Sequence, residues 1–139
     1  MISLSTAQRL KSAGLTWLPA LHDFFAIPGR GMDDHVFVIS EVMANIEIRN
    51  NLPLVTFQGT AEWALDYVLT NEVVWLPTES QLRSAVVRAL ADETPPAMLF
   101  SNLSGGYQLE MRFHGESSAF QEAEASEAYA AALLYLLSG

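Results

Sequence analysis

The 139-residue chain contains no cysteine. That excludes a disulfide framework, a thiolate metal site and a thiol nucleophile. Basic residues are scarce, 7 against 16 acidic ones, for a net charge of −9. The chain lacks the basic footprint that a phosphate backbone requires, so nucleic acid is not expected as a partner. Anionic membrane surfaces are disfavoured for the same reason. Long hydrophobic runs are missing too. The longest, Ala128 to Leu137, is half of the roughly 20 residues a membrane span needs. The opening Met1-Ile2-Ser3-Leu4-Ser5-Thr6 lacks the basic region and apolar stretch of a leader peptide. A soluble cytoplasmic protein is expected, with no membrane role. Lys11 is the single lysine, so no Gly-Lys-Ser or Gly-Lys-Thr phosphate loop exists, and no cofactor is expected.

What is present is apolar. Half of the residues are hydrophobic and 17% are charged, enough to bury the core of one domain, residues 1–139, and far from the composition of a disordered chain. Ser3 to Ala13 reads as a helix that Ser3 or Ser5 caps and Gly14 ends. His22 to Ile27 reads as a strand, Pro28-Gly29-Arg30-Gly31 as a turn, and His35 to Arg49 as a long strand. There Ala44, Ile46 and Ile48 alternate with polar neighbours. Asn50-Asn51 marks a hairpin into Leu52–Phe57, and the three strands are expected to form an antiparallel meander. Thr60 opens a helix with Ala61, Leu65, Val68 and Leu69 on one face. Val73 to Pro77 reads as an apolar connector. Thr78 with Gln81 has capping-box spacing, and Leu82, Ala85, Val86, Ala89 and Leu90 repeat helically behind it.

After Thr94-Pro95-Pro96 the pattern recurs. Ala97–Ser101 is a strand and Ser104-Gly105-Gly106 a turn. Tyr107 to Phe113 alternates, with Tyr107, Leu109, Met111 and Phe113 inward. His114 to Ser117 turns again, Ser118 to Glu122 is a strand, and a helix runs from Glu124 to Leu137. The expected class is α+β, antiparallel sheets with four helices in the order αβββα then αβββα, with structural halves at 1–72 and 78–139. An internal pseudo-repeat is one reading of that order. Simple alternation of helices and hairpins is the other.

Candidate chemistry is thin. His22, Asp33 and His35 are the most ligand-like residues, and with His22 on a paired strand they offer nitrogen and oxygen to a divalent metal. The other reading leaves Asp33-Asp34 in a solvated hairpin loop with both histidines half exposed. Ser104, with His114 across the same hairpin, lacks both a nucleophile elbow and an orienting acid. Glu62 and Asp66 sit at i, i+4, the spacing of a solvated helix face rather than a dry general acid. No catalytic residue is assigned. Trp17, Trp63 and Trp75 either pack in the core or line a groove where a ligand stacks.

The last helix is the sharpest anomaly. Ala128 to Leu137 carries no charge, whereas a surface helix shows a polar stripe. Tyr129, Leu133 and Leu136 share the face expected on the sheet beside Phe113 and Met111. Ala130, Leu134 and Leu137 form a second face, rotated by about 100°, which needs cover of its own. The connector around Trp75 and a second chain are the two candidates.

Ile27-Pro28 through Ser40, Phe57 to Asp66 and Trp75-Leu76-Pro77 together resemble a group of small uncharacterised bacterial proteins sometimes labelled automatically as pilus-assembly proteins. Gln58 stands where that group has Asn, followed by Gly59-Thr60-Ala61-Glu62-Trp63-Ala64-Leu65-Asp66. The resemblance implies a bacterial origin, no established activity and no catalytic residues to transfer. The leading expectation is a non-enzymatic protein-interaction or regulatory module that forms homo-oligomers. The alternative is a small enzyme or ligand binder using the His22/Asp33/His35 region or an aromatic groove.

Overall fold

The structure, a computed structural model, describes residues 1–29, 31, 34–39, 44–49, 52–57, 67–69, 73–95 and 97–139. Among them the class is α+β: three helices and three 3-stranded antiparallel sheets. The chain divides into two compact units, Met1–Leu15 with Pro77–Gly139, and Thr16–Leu76. The opening helix therefore groups with the C-terminal half of the sequence.

In the first unit, α1 (Leu4–Ser12) begins where the Ser3 side chain accepts the Thr6 amide at 3.1 Å. Ala7 and Leu10 are buried. Gly14, at φ +105°, follows the end of the helix in the left-handed conformation that glycine tolerates best. The capping box expected at Thr78 and Gln81 is formed on both sides: Thr78 N donates to Gln81 Oε1 at 2.9 Å and Gln81 N to Thr78 Oγ1 at 3.2 Å. It starts the helix Glu79–Ala89, here numbered α2 for its order among the helices, which buries Leu82 and Val86 and exposes Arg83 and Arg88.

Three strands follow in this unit: Met98–Leu103, Gly106–Phe113 and Glu116–Glu122. They form a meander with the middle strand at its centre. Counting the six strands of the other unit, these are β7, β8 and β9. His114 and Gly115 make the β8–β9 turn with φ of 52° and 80°, the paired positive values that match hairpin twist. Leu109 and Met111 are buried, and Tyr107 and Phe113 half-buried, on the side predicted to face inward. The chain closes with α3 (Ala125–Ser138), which packs on α1, α2, β8 and β9.

The second unit departs from expectation in three places. The meander divides between two sheets. β1 (Phe24–Ala26) pairs with β2 (Phe37–Val38) and, on its other side, with β6 (Val74–Leu76). β3 (Ala44–Arg49) pairs instead with β4 (Leu52–Phe57), and β4 with β5 (Tyr67–Leu69). The described residues of the 35–49 segment thus supply β2 to one sheet and β3 to another. Phe37 and Ile39 are buried, as are Phe25 and Ile27 on the neighbouring strand.

The apolar connector is itself a strand, because Val74 and Leu76 are buried beside β1. Of the helix expected over 60–69, the described residues Tyr67–Leu69 are strand β5 instead, where Val68 lies opposite Val55 and Leu69 opposite Leu54. Tyr67 and Val68, one aromatic and one β-branched, suit a pleated surface, and the ladder with β4 outweighs the helical spacing of the run. Three helices rather than four are therefore seen among the described residues, and only the second half reads αβββα. Asn50-Asn51, Gln58 to Asp66 and Arg30 lie outside the described residues.

One glycine is required by close approach rather than by φ. A Cβ on Gly106 would sit 2.6 Å from the Glu122 carbonyl oxygen across the β8–β9 pair. Gly106→Ala is expected to destabilise the chain by about 1–3 kcal/mol, read as a lower denaturant midpoint at unchanged m-value.

Candidate functional site

In the second unit, Asp23 is buried at 7% exposure. Its Oδ2 accepts the Trp17 indole N–H at 2.9 Å and the Ala20 amide at 3.1 Å. A buried carboxylate needs such donors to offset desolvation. They tie the loop 17–22 to the start of β1. The two indoles then stack: Trp17 and Trp75 lie 6.4 Å apart between ring centroids with planes 9° apart, and Trp17 also meets Phe25 at 5.8 Å. Trp75 sits opposite Phe25 in the β1–β6 ladder, which places its ring over the same face. Two of the three expected tryptophans are thus brought together, while Trp63 lies outside the described residues. The Trp75 Nε1 atom is buried with no hydrogen-bond partner among the described residues.

The histidines are not brought together. The His22 amide donates to the Ile39 carbonyl at 2.8 Å, at one end of the β1–β2 ladder. Extending the register Phe24↔Val38, Phe25↔Phe37 sets His35 beside Ile27, at the other end. Five residues of strand separate them by roughly 17 Å, too far to share one ion. Asp33 lies outside the described residues, and His35 is exposed with Asp34 4.0 Å away. Among the described residues no three His, Cys, Asp or Glu side chains cluster to hold a metal. Ser104 and His114 are parted likewise. They stand in the turns at opposite ends of β8, roughly 25 Å apart. The Glu62 and Asp66 pair lies outside the described residues.

The first unit holds the more developed surface. Burial takes most of α3: Ala128, Ala130 and Ala132 have no exposed surface, and Tyr129, Leu133 and Leu136 little. Tyr129 stacks on Phe100 of β7 at 5.1 Å and 7°, on the sheet that α3 covers. Ala130 is therefore filled from within the chain, whereas Leu134 and Leu137 stay half-buried. Successive turns of α3 present Ala131, Leu134, Tyr135 and Ser138, spaced 0, 3, 4 and 7, to a cavity of about 500 Å³ between α1, β9 and α3. Phe120 adds an aromatic wall at 5.8 Å from Tyr135. Arg9, Glu122 and Glu127 supply charge along it.

Glu127 carries no signal in the sequence, yet it fastens one end of this groove. Its carboxylate accepts the Ser3 amide at 2.8 Å and the Thr6 hydroxyl at 2.9 Å. That joins the α1 cap to the first turn of α3, where a carboxylate also suits the helix dipole. No helix among the described residues is long and apolar enough to cross a membrane. Comparison with family models, curated proteins and solved structures finds no match.

Burial raises the Tyr129 phenol above its ordinary value; Arg83 opposes the shift and Glu79 adds to it. A raised folded-state value means that stability is held below the unfolded value of about 10 and lost as pH rises through the folded one. Absorbance titration at 295 nm is expected to show a late-ionising tyrosine that is missing in Tyr129→Phe. The variant should also lose part of the wild-type drop in stability above that pH.

Proposed function

We propose that this chain is a non-enzymatic protein-interaction module whose copies associate, and that the α1–β9–α3 groove receives apolar side chains of a partner protein. The observation that carries this is the uncharged strip Ala131–Leu134–Tyr135–Ser138 facing an open cavity. In an acidic chain, a helix strip without charge accepts a protein surface without desolvating an ion. Arg9, Glu122 and Glu127 at the same cavity give the polar rim that interfaces keep around an apolar centre. Regulation through such binding, a cytoplasmic setting and a kinship with the small bacterial proteins named above belong to the same reading.

A second reading rests on volume. About 500 Å³ lies within the range of small-molecule pockets, about 300–1,000 Å³. In that reading the groove, or the Trp17–Trp75 stack, holds a ligand. Native mass spectrometry separates the two: the interaction reading expects an oligomer with no retained small molecule, and a monomer carrying one favours the other.

Leu134→Glu tests the groove directly. The side chain is half-buried, so the folded state is expected to survive a cost of about 1 kcal/mol with unchanged far-UV circular dichroism. Fluorescence of an apolar dye such as 8-anilinonaphthalene-1-sulfonate bound to the wild type should fall in the variant. Equal dye binding in both proteins removes the groove as an apolar docking surface.

A further inference from the structure

The third sheet ends in two unlike edges. Its order is β7-β8-β9, so β7 and β9 each have one neighbour. The Arg112 amide donates to the Ala97 carbonyl at 2.8 Å, which fixes the phase of the β7–β8 ladder. With Met98↔Met111 and Phe100↔Leu109 in register, Leu99, Ser101 and Leu103 turn their N–H and C=O groups toward β8. Met98, Phe100 and Asn102 turn theirs outward, since the direction alternates along an antiparallel strand. No backbone partner takes those outward groups among the described residues.

The two edges differ in charge. β9, Glu-Ser-Ser-Ala-Phe-Gln-Glu, begins and ends on a carboxylate. Paired with its own copy about Ala119, it would set Glu116 against Glu122. That is the like-charge guard by which natural edges avoid pairing. β7, Met-Leu-Phe-Ser-Asn-Leu, has no charge and no proline. Leu99 and Leu103 are 58% and 40% exposed on its open side. α3 packs over β8 and β9, and its Tyr129 stacks on Phe100 on the covered face of β7, opposite the face that carries Leu99 and Leu103.

The geometry points to β7 as the surface through which two copies of this chain join, strand against antiparallel strand across a two-fold axis at Phe100. This rests on the self-association part of the reading above and adds its location, which is not the groove. In that register Phe100 meets Phe100 of the second copy, and Met98 meets Asn102 on either side. These are the outward-turned residues, so each pair exchanges two hydrogen bonds. On the open face Leu99 lies opposite Ser101 of the second copy, and Leu103 opposite Ala97, which gives each exposed leucine a lateral neighbour. No charge opposes a like charge anywhere along the strand. A second copy is favoured over an unrelated extended peptide because the strand is its own complement about that axis. The result is one continuous six-stranded sheet.

The test is sedimentation velocity on the full chain, from micromolar to about 100 µM. Asn102→Pro removes an outward N–H and leaves the β7–β8 ladder whole, since proline is tolerated on an edge. Leu99→Lys is the second variant and places two like charges beside the axis. The wild type is expected as a dimer. Both variants are expected to weaken it at least tenfold at unchanged circular dichroism, and the wild-type dimer should tighten with salt as the repulsion between two copies of charge −9 is screened. A dimer that survives both folded variants overturns the β7 contact alone. A dimer broken by Leu134→Glu but not by them places the copies in the groove instead. A wild type that stays monomeric throughout overturns self-association, while the dye experiment still decides the groove.

Discussion

A helix of 14 residues with a single charged side chain, Glu127, cannot stand with any broad face in water. Each exposed leucine forfeits burial worth roughly 1.5–3 kcal/mol. Much of the first unit answers that one demand. α2 lies along α3, where Ala128, Ala130 and Ala132 are wholly buried and small side chains permit close approach. β8 and β9 cover another face, and Phe100 reaches Tyr129 from β7. α1 closes the remaining side, held by Glu127. This is why the first 15 residues belong with the last 63 rather than with their sequence neighbours.

The cover is incomplete along the side of α3 that lies between α1 and β9. Thr6 and Arg9 of α1, with Ala13 behind it, stand on one side of the gap, and Phe120 and Glu122 of β9 on the other. The strip from Ala131 to Ser138 is left facing a cavity. The absence of charge in that strip is then a property of a surface, whereas the absence of charge at Ala130 is a property of a core.

What the sequence made legible was local chemistry. Thr78 with Gln81, Ser3 ahead of its helix, Gly14 behind it, and the turns at Gly105 and Gly115 each specify a conformation within four residues, and all are in place. The alternation in β8 was equally plain, because one face is wet and the other dry. The failures share a cause. Val73 to Leu76 and Tyr67 to Leu69 are short apolar runs, and periodicity cannot separate a strand from a connector or a helical turn over so few residues. Their identity is decided by partners outside the run itself: β1, about fifty residues earlier, and β4. In the 35–49 segment the hairpin pairing of β3 with β4 is local and was legible, whereas the assignment of β2 and β3 to different sheets was not. For candidate sites the same division holds. The pairing of Trp17 with Trp75 and the distance between His22 and His35 are set by strand register, which no spacing rule reports. Glu127 matters because of where α1 returns.

The distribution of charge is compatible with the association proposed for so acidic a chain. Five of the seven basic residues, Arg9, Lys11, Arg83, Arg88 and Arg112, lie in the first unit. Several serve local structure there: Arg9 and Lys11 stand in the last turn of α1 and Arg88 in that of α2, where cations suit the helix dipole, while Arg112 donates to the Thr94 carbonyl. Little positive charge is left to form a field that would draw an acidic partner from a distance. Two copies repel at long range, but at physiological salt charges further apart than about 8 Å are largely screened. What governs the encounter is the local surface, and the 97–103 edge and the α3 strip are two surfaces free of charge among the described residues. An edge strand contributes directional hydrogen bonds that an apolar strip lacks, so it can fix the register of two copies. The strip fixes none, and its adaptable contacts suit a partner whose shape differs from its own.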